Sequence, residues 1–524
     1  MSEIRECRLP STWTSATLED FCQIIQGQSP PGNTYNTTGN GLPFFQGKAE
    51  FGEVYPTAVK WCTSPKKVAE ANDVLISIRA PVGPTNLCPG VACIGRGLAA
   101  IRPEGGISSL FVFYGLRYTA KSLAEKSTGS TFEAISGKDL RSHTLPLPPH
   151  PEQHRIVAEI EKQFTRLDAA VEALKRVKTN LKRYRASVLK AACEGRLVPT
   201  EAALARDEGR DYEPADRLLA RILQERRAKW EADQLAKMHA AGKPPNDNKW
   251  KAKYREPAPP DTTNLPPLPE GWGWAALGQL SWDASYGTSE KCDYDRTGPP
   301  VLRIPNIERG QVDLTDLKFA AELAKRNVEE ALAPGDLLII RTNGSKDLIG
   351  RSAIVEKAFE RPHFYASYLI RFRVAQVEPI GQWIGAIWDV PQVRSRIENL
   401  AATSAGQYNI SLRKLGPLPL PLPPATEQER IIGEVERRLS VVDELEMQVE
   451  VNVKRAERLR QAILKRAFEG KLVPQDPTDE PTSVLLERIR SERHEREAGQ
   501  RTIRAGKPRG KRKSSAEQPK LVYG

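Results

Sequence analysis

The chain has 524 residues, which is enough for roughly three or four domains. Its formal net charge of +12 and sequence pI near 9.2 favour a polyanionic partner. No run of 18 apolar residues occurs and the first residues lack a signal-peptide core, so we expect a soluble, cytoplasmic protein without a membrane partner. The seven cysteines contain no CxxC pair, which excludes an obvious zinc site and indicates reduced, mostly buried thiols.

Residues 1–150 form a first globular unit, called here the first head. Strand candidates at 73–81 and 91–103 lie between stretches rich in Gly, Pro and Asn, and a helix is predicted from about 107 to 125. Short strands with one helix predict a small mixed α/β domain.

Residues 151–195 predict a long helix, because apolar residues recur at steps of three or four. The predicted packing seam consists of Ile156, Ile160, Phe164, Leu167, Leu174 and Leu181. Roughly 40 residues at about 1.5 Å each make a rod of about 60 Å. Residues 196–265 follow as a helical extension and a linker rich in Pro and Lys.

The second half of the chain repeats this order. Residues 266–424 form the second head, with a strand candidate at 366–374 and a helix from about 380 to 400 that is bent or broken near Pro391. Residues 425–470 predict a second long helix, whose seam consists of Ile431, Val435, Leu439, Val442, Leu459 and Ile463. Residues 471–524 predict a helical extension and a basic, disordered tail.

The repeat is clearest at the long helices. Residues 145–199 align without a gap to residues 420–474, and 22 of the 55 positions are identical. Repeated units so far apart are not those of a solenoid. We predict an α/β fold with two mixed α/β heads, separated by two long helices that pair as an antiparallel coiled coil. Such a pairing would make the internal repeat pseudo-twofold.

Catalytic signatures are missing from the sequence. It contains no GxxxxGK[ST] phosphate loop, no HExxH metal motif and no GxSxG nucleophile motif. The (N/D)PP(Y/F) tetrapeptide expected of an amino-methyltransferase is also missing. The sequence therefore predicts no catalytic residues and no metal site.

Polar residues in the loops of both heads favour DNA as the polyanion. Arg, Lys, Asn and Gln read base edges, while Arg, Lys, Ser and Thr hold phosphates. The candidates in the first head are Gln46, Lys48, Arg79, Asn86, Thr128 and Ser130, and those in the second are Arg303, Asn306, Arg341, Asn343, Ser345, Lys346, Tyr408 and Asn409. For any single one of them, a solvated surface residue is the better interpretation, so the prediction depends on the set.

These features together resemble the specificity subunits of type I DNA restriction-modification systems. The resemblance is carried by LPLPPxxEQ before both long helices, EGRLVP and EGKLVP after them, and the strands DVLIS and DLLII. It spans roughly residues 8–495. The heads differ before LPLPP, where TFEAIS stands in the first and QYNIS in the second, so Tyr408 and Asn409 have no counterparts of their type.

The resemblance implies that each head is a target recognition domain for one half of a split DNA sequence. The helices would fix the gap and dock two modification subunits that methylate adenine N6 with S-adenosylmethionine. Restriction subunits would add ATP- and Mg-dependent translocation and cleavage, and this chain would hold no cofactor. The alternatives left open are a non-enzymatic coiled-coil scaffold without sequence-specific DNA binding and a self-sufficient methyltransferase or nuclease.

Overall fold

A computed structural model describes residues 9–126, 134–308, 310–325, 328–375, 377–404 and 406–505. The chain divides into two compact units. Unit 1 comprises Met1–Leu174 and Glu450–Gly524, and unit 2 comprises Lys175–Val449. Each unit therefore contains one head, the start of one long helix and the end of the other.

The helices include two long ones, α4 and α10, of 44 residues each. In chain order the helices are α1 (Leu18–Phe21), α2 (Ser109–Glu125), α3 (Gly137–Arg141), α4 (His150–Cys193), α5 (Glu201–Glu208), α6 (Ala215–Ala240), α7 (Gln382–Trp388), α8 (Pro391–Leu400), α9 (Leu412–Leu415), α10 (Ala425–Phe468) and α11 (Thr482–Ala505). Each long helix is about 66 Å long. The predicted break near Pro391 is confirmed, because α7 ends at Trp388 and Pro391 begins α8.

Unit 1 contains two sheets and a short strand pair. Its strands are β1 (Thr14–Thr17), β2 (Cys22–Gln26), β3 (Tyr35–Asn36), β4 (Leu42–Phe45), β5 (Trp61–Cys62), β6 (Val68–Ala69), β7 (Val74–Ser77), β8 (Thr85–Leu87), β9 (Ala92–Ile94), β10 (Leu98–Pro103) and β11 (Thr144–Leu147). One sheet is antiparallel with the order β2-β10-β7-β8, and the other has the order β3-β5-β4-β9-β6 with β4 and β9 parallel. Pairing of β1 with β11 joins the start of the head to its end.

The core of unit 1 combines the head with three helices from outside it. Phe111, Phe113 and Leu116 of α2 are fully buried together with residues of α4, α10 and α11. Arg460 of α10 lies over the Phe164 ring of α4 at 5.3 Å and pairs with Asp168. In this unit α4 thus packs against the end of α10.

Unit 2 repeats the four-stranded sheet and the strand pair of unit 1. Its strands are β12 (Gly273–Ala276), β13 (Ser281–Tyr286), β14 (Pro300–Leu302), β15 (Ile307–Glu308), β16 (Gln311–Val312), β17 (Lys318–Phe319), β18 (Asp336–Ile340), β19 (Thr342–Asn343), β20 (Ser352–Ile354), β21 (Phe364–Tyr365), β22 (Leu369–Val374), β23 (Ala402–Ser404), β24 (Gln407–Asn409) and β25 (Pro419–Leu422). The antiparallel sheet β13-β22-β18-β20 corresponds to β2-β10-β7-β8, and the pair β12-β25 corresponds to β1-β11. The predicted fold class, mixed α/β with long helices, is confirmed.

Within unit 2 the end of α4 packs near the start of α10. Val188 of α4 is buried in one cluster with Ile431 and Val435 of α10. Arg185 of α4 pairs with Asp443 of α10, and its guanidinium lies 3.7 Å from the carboxylate of Glu446. Apolar and ionic contacts therefore join the two helices in this unit as well.

The predicted seam residues occupy different environments. Ile156, Ile160, Phe164, Leu181, Ile431, Val435 and Val442 are buried, Leu167, Leu439 and Ile463 are partly buried against the cores, and Leu174 is half-buried. Leu459 is a correction, because its side chain is 43% exposed. At this point the helix turns buried Ala456 and the stem of Arg460 inward, which leaves Leu459 on the outer face.

The cysteines of the described residues are free thiols. Cys22, Cys62, Cys88, Cys93 and Cys193 are buried and Cys292 is half-buried, whereas Cys7 lies outside the described residues. Burial raises the pKa of the Cys88 thiol to about 11. None of the helices in the described ranges combines the length and apolar character needed to cross a bilayer.

A buried tryptophan–glutamate contact, called here the clasp, anchors each head to its long helix. In unit 1 the Trp13 indole donates to the Glu152 carboxylate at 2.9 Å, and the amide of Gln475 donates to its other oxygen at 2.6 Å. In unit 2 the indole of Trp272 and the backbone N–H of Glu201 each donate to Glu427 at 2.9 Å. Both glutamates are the Glu of the LPLPPxxEQ motif. The structural role of this motif is therefore to anchor each head to its long helix.

Candidate nucleic-acid interface

A small β-ribbon at the tip of the second head brings predicted residues together. The ribbon consists of β19, β24 and β23, with Asn343 opposite Tyr408 and Thr342 opposite Asn409. Six predicted residues lie on it or directly beside it, namely Arg341, Asn343, Ser345, Lys346, Tyr408 and Asn409. Arg, Asn, Ser and Lys are the residue types that read base edges and hold phosphates. The ribbon therefore has suitable chemistry for reading DNA.

Arg341 is the most tightly held of these side chains. Its guanidinium lies 4.6 Å from the centre of the Tyr286 ring, and its Nη2 donates to Asn409 Oδ1 at 3.1 Å. Nη1 makes a longer contact of 3.4 Å to the carbonyl oxygen of Ser367, while Nε is buried without a partner. The Tyr286 hydroxyl accepts from the backbone N–H of Leu412 at 3.1 Å, which fixes the ring.

The loop after β19 is ordered by its own residues. Asn343 Oδ1 accepts from the backbone N–H of Ser345 at 2.8 Å, so the asparagine caps the turn. Ser345 and Lys346 are exposed, and Lys346 Nζ lies 4.0 Å from the Glu398 carboxylate. DNA contacts by Ser345 and Lys346 stay predictions, whereas Asn343 already has a structural role.

Two other candidates of the second head lie in a different loop. Asn306 is fully buried, accepts from the backbone N–H of Arg303 at 2.8 Å and donates to the carbonyl oxygens of Asp313 and Asp316. Arg303 donates to the Asp316 carboxylate at 2.9 Å. DNA contacts by these two stay predictions, although their polar atoms stabilise the loop around β15.

The candidates of the first head are scattered. Gln46 is half-buried after β4, while Lys48 and Arg79 are exposed. Asn86 is fully buried in β8, where both ends of its amide bond the backbone of Gly52, at 2.9 and 3.0 Å. A DNA contact by Asn86 stays a prediction for which no exposed amide atom is available.

Thr128 and Ser130 lie outside the described residues. Arg79 forms an isolated β-bridge with Ala134. Of the TFEAIS segment, the structure describes Ala134, Ile135 and Ser136. The backbone N–H of Ile135 donates to the Ile78 carbonyl, as that of Ile410 donates to the Arg341 carbonyl in the second head. Ile78 and Ala134 of the first head therefore occupy the positions that Arg341 and Asn409 occupy in the second head.

Sequence reasoning missed several aromatic residues. Tyr286, Tyr368 and Tyr294 are 44%, 55% and 63% exposed, and Tyr294 lies within 4.8 Å of Lys318 Nζ. A tyrosine followed by glycine at the end of a strand, as in Tyr286–Gly287, is a signal that could have identified the first of them. Exposed aromatic rings beside cations are suited to stacking on bases or sugars.

The second head also has a cleft beside α6, with a volume of about 950 Å³. Trp230 and Lys237 of α6 line it together with Tyr286 and Arg371 of the head. Arg371 donates to Asp283 at 2.9 Å, so its charge is balanced inside the cleft. Across the described ranges, no group of three His, Cys, Asp or Glu side chains could hold a metal ion.

Comparison with known proteins finds similarity to one family. A sequence profile described as the type I restriction modification DNA specificity domain matches residues 10–182, which cover the first head and most of α4. A putative type I restriction enzyme MjaX specificity subunit from Methanocaldococcus jannaschii is 40% identical over 199 residues, 37% of this chain and 45% of that relative. The chain thus matches less than half the length of this relative.

Two further relatives extend the comparison. The type I restriction enzyme EcoKI specificity subunit of Escherichia coli is 25% identical over 418 residues, 77% of this chain and 76% of the relative. A crystal structure of the HsdS subunit from Thermoanaerobacter tengcongensis is 47% identical, covers 32% of this chain and 41% of its own, and has a TM-score of 0.30. A match over 77% of the chain must include residues of both heads. Profile and relatives agree in name, and what this chain is similar to is the family of type I restriction-modification specificity subunits.

Proposed function

We propose that this chain is the DNA-specificity subunit of a type I restriction-modification complex. Each head recognises one half of a split DNA sequence, and the chain itself catalyses nothing. The observation that carries this proposal is the similarity to specificity subunits, which extends into both heads. The polar ribbon of the second head supports it, because it exposes residues of the types that read bases and hold phosphates.

The two heads recognise different half-sites. Their central sheets have the same strand order, whereas Arg341 and Asn409 of the second head are replaced by Ile78 and Ala134 in the first. Base contacts depend on the donors and acceptors that a side chain presents. Heads with different tips on equivalent sheets therefore select different bases.

The long helices act as a spacer that pairs as an antiparallel coiled coil with pseudo-twofold symmetry. The supporting observation is the register of two ion pairs, Asp168–Arg460 in unit 1 and Arg185–Asp443 in unit 2. From the first pair to the second, the position on α4 advances by 185 − 168 = 17 residues, and that on α10 falls by 460 − 443 = 17. An antiparallel pairing without slippage has this relation.

The remaining parts of the complex come from other chains in the cytoplasm. Modification subunits, two in our proposal, use S-adenosylmethionine to methylate adenine N6, and restriction subunits use ATP with Mg. This chain docks both kinds of subunit and supplies the recognition of the DNA sequence. The names of the relatives support such an assembly, since each is a subunit of a type I restriction enzyme.

Mapping of methylated adenines tests the function directly. The chain is expressed in cells with the modification subunit encoded beside it, and the modification subunit alone is the control. We expect methylated adenines in a split motif only when both are present. Methylation that is independent of this chain, or a confirmed complex that methylates nothing, would favour a coiled-coil scaffold without sequence-specific DNA binding.

The spacer role is tested by lengthening both helices. Four residues, about one helical turn, are inserted into α4 and into α10, and the methylated motif is mapped again. We expect a longer gap between unchanged half-sites. The control carries the same four residues in the linker at 243–248, where they should leave the gap unaltered. An unchanged gap in the helix variant would exclude the spacer role.

A further inference from the structure

We infer that Tyr286 and Arg341 hold Asn409 in one orientation, and that Asn409 reads an adenine in the half-site of the second head. This inference rests on the proposed function and adds a base and two positioning residues to it. Tyr286, Arg341 and Asn409 are called here the tip triad. Tyr286 ends β13, Arg341 directly precedes β19 and Asn409 ends β24. The register of the ribbon places Asn409 opposite Thr342, the neighbour of Arg341.

The orientation of the Asn409 amide follows from its bond to Arg341. A guanidinium has only N–H donors, so the atom of Asn409 that faces Nη2 at 3.1 Å must be the carbonyl oxygen. The Nδ2 group is therefore turned away from Arg341. A free asparagine amide has no such preference, so the arginine sets which end of the amide is presented.

Arg341 can set this orientation because it is itself held. The Tyr286 ring lies under its guanidinium at 4.6 Å, and the Tyr286 hydroxyl is bound by the backbone of Leu412. The backbone N–H of Arg341 donates to the Tyr368 carbonyl at 2.9 Å, and its own carbonyl accepts from Ile410. An arginine fixed at both its main chain and its side chain holds its partner without being reorganised when DNA binds.

The amide that results has the pattern for adenine. Asparagine binds adenine by accepting from N6–H with its oxygen and donating Nδ2–H to N7. Asn409 Oδ1 has a second lone pair beyond the one that faces Arg341, and Nδ2 retains its donors. Asn409 is half-buried on the central strand of the ribbon, which leaves part of the side chain within reach of a base edge.

The experiment maps methylated motifs for variants of the full chain assembled with its modification subunit. For Asn409→Ala we expect discrimination at one adenine of the second half-site to fall about 10- to 100-fold, with the first half-site unchanged. For Asn409→Asp we expect the preferred base at this position to change from adenine to cytosine, because a carboxylate accepts from cytosine N4. Asn399→Ala is the matched control, since Asn399 is exposed on α8 and outside the triad.

The role of Arg341 is tested by a double-mutant comparison. Arg341→Ala should relax the same adenine position as Asn409→Ala, and the double variant should relax it no further than Asn409→Ala alone. Tyr286→Leu removes the stacking ring and should give a smaller relaxation at the same position. Recognition of the first half-site and assembly with the modification subunit show that each variant is folded.

Three outcomes are separable. Wild-type chain that directs no split motif would overturn the proposed function. A wild-type split motif that stays unchanged in both Asn409 variants would overturn the adenine-reading role alone. Loss of a guanine in Arg341→Ala, with the adenine retained, would overturn the positioning role and make Arg341 a base-reading residue itself.

Discussion

The two heads agree at their bases and differ at their tips. At the base, the Trp13–Glu152 and Trp272–Glu427 bonds have the same length of 2.9 Å, although the partners are 139 and 155 residues apart. At the tip, Arg341 and Asn409 form a hydrogen bond where the first head has the apolar pair Ile78 and Ala134. Within one chain, the contacts that hold a head in place are kept while those that would meet DNA are changed.

The central sheet belongs to the part that is kept. Asp73 accepts two hydrogen bonds from the Arg102 guanidinium in the first head, and Asp336 accepts two from Arg373 in the second. Each aspartate also caps the turn before its strand, by accepting from a backbone N–H at 2.8 Å. These hydrogen bonds raise the pKa of both arginines above the ordinary value. Whether the two aspartates have the same role can be tested by making the same substitution in each head.

The largest effect is expected from Asp336→Asn and Asp73→Asn. Each aspartate is at least 98% buried, and its loss leaves an arginine without its buried counter-charge, which should lower the free energy of unfolding by about 3 kcal/mol. Arg102 keeps a pair with Glu70 at 2.9 Å, but Glu70 is 61% exposed and this pair contributes little. Unfolding in urea, monitored by hydrogen exchange, measures this free energy of unfolding for each unit. Asp316→Asn is the control, because the Asp316 side chain is 47% exposed and its pair with Arg303 should contribute about 0–1 kcal/mol. Unequal losses of unfolding free energy in the two variants would contradict an equal role of the two aspartates.

Glycine substitutions at the ends of the long helices should cost about 2 kcal/mol each. Gly470 and Gly195 have φ values of +69° and +62°, and a Cβ would lie 2.4 and 2.5 Å from the ring carbons of Pro10 and Pro269. Alanine at either position therefore adds a clash to the backbone strain. Gly209→Ala separates the two contributions, because Gly209 has a φ of +63° with nothing within 4 Å of the added carbon. An equal loss in all three variants would exclude the clash.

Acid should destabilise unit 1 through a buried histidine whose aligned position in unit 2 is a leucine. Burial lowers the pKa of His143 to about 4, and the aligned position of the second head is buried Leu418. The unfolded chain takes up the proton first, so stability is lost as the pH falls from about 6.5 towards 4. We expect a loss of about 2 kcal/mol between pH 7 and pH 5. Hydrogen exchange of β10 measures this loss of stability in the wild type and in His143→Leu. If stability decreased equally with falling pH in both, His143 would be excluded as the cause.

The smallest effect is expected at the clasps, with the opposite sign. Burial raises the pKa of Glu152 and Glu427, so the folded state holds their protons more tightly than the unfolded chain. Their contribution to stability decreases as the pH rises from the unfolded pKa through the folded one. Relative to Glu427→Gln, wild type should gain stability as the pH falls from 7 to 4.5.

Glu434 supplies a control of opposite direction for this measurement. Hydrogen bonds from Arg437 and Arg438 lower its pKa to about 2. Its contribution is therefore present above the ordinary glutamate pKa and lost as the pH falls towards 2. If Glu427→Gln and Glu434→Gln shifted the pH dependence in the same direction, the burial argument for the clasps would fail.

Patterns within short stretches predicted most of the fold. Apolar steps of three or four located α4 and α10, and the helix predicted at 107–125 is α2, two residues shorter at its start. The region predicted as one strand at 91–103 is two strands, β9 and β10, because Gly95 and Gly97 turn the chain between them. Leu459 satisfied the periodicity but lies outside, since a long arginine stem filled the seam beside it.

The candidate site was harder to predict, because it depends on pairing between distant segments. Polarity alone selected Asn86 and Asn306 together with Asn409, yet the first two are fully buried and bonded to backbone. The tip triad joins residues 286, 341 and 409 through strand register, which no local pattern contains. Tryptophan and glutamate of each clasp are likewise too far apart in sequence for a spacing rule.

The division of the chain into units has a consequence for its synthesis. Unit 2 is one continuous segment, whereas unit 1 needs residues from both ends of the chain. Leu464, Phe468 and Ile489 complete the core around the first head, and they leave the ribosome after all of unit 2. The first head is made before the second but completes its core later, so its core stays incomplete while unit 2 is translated.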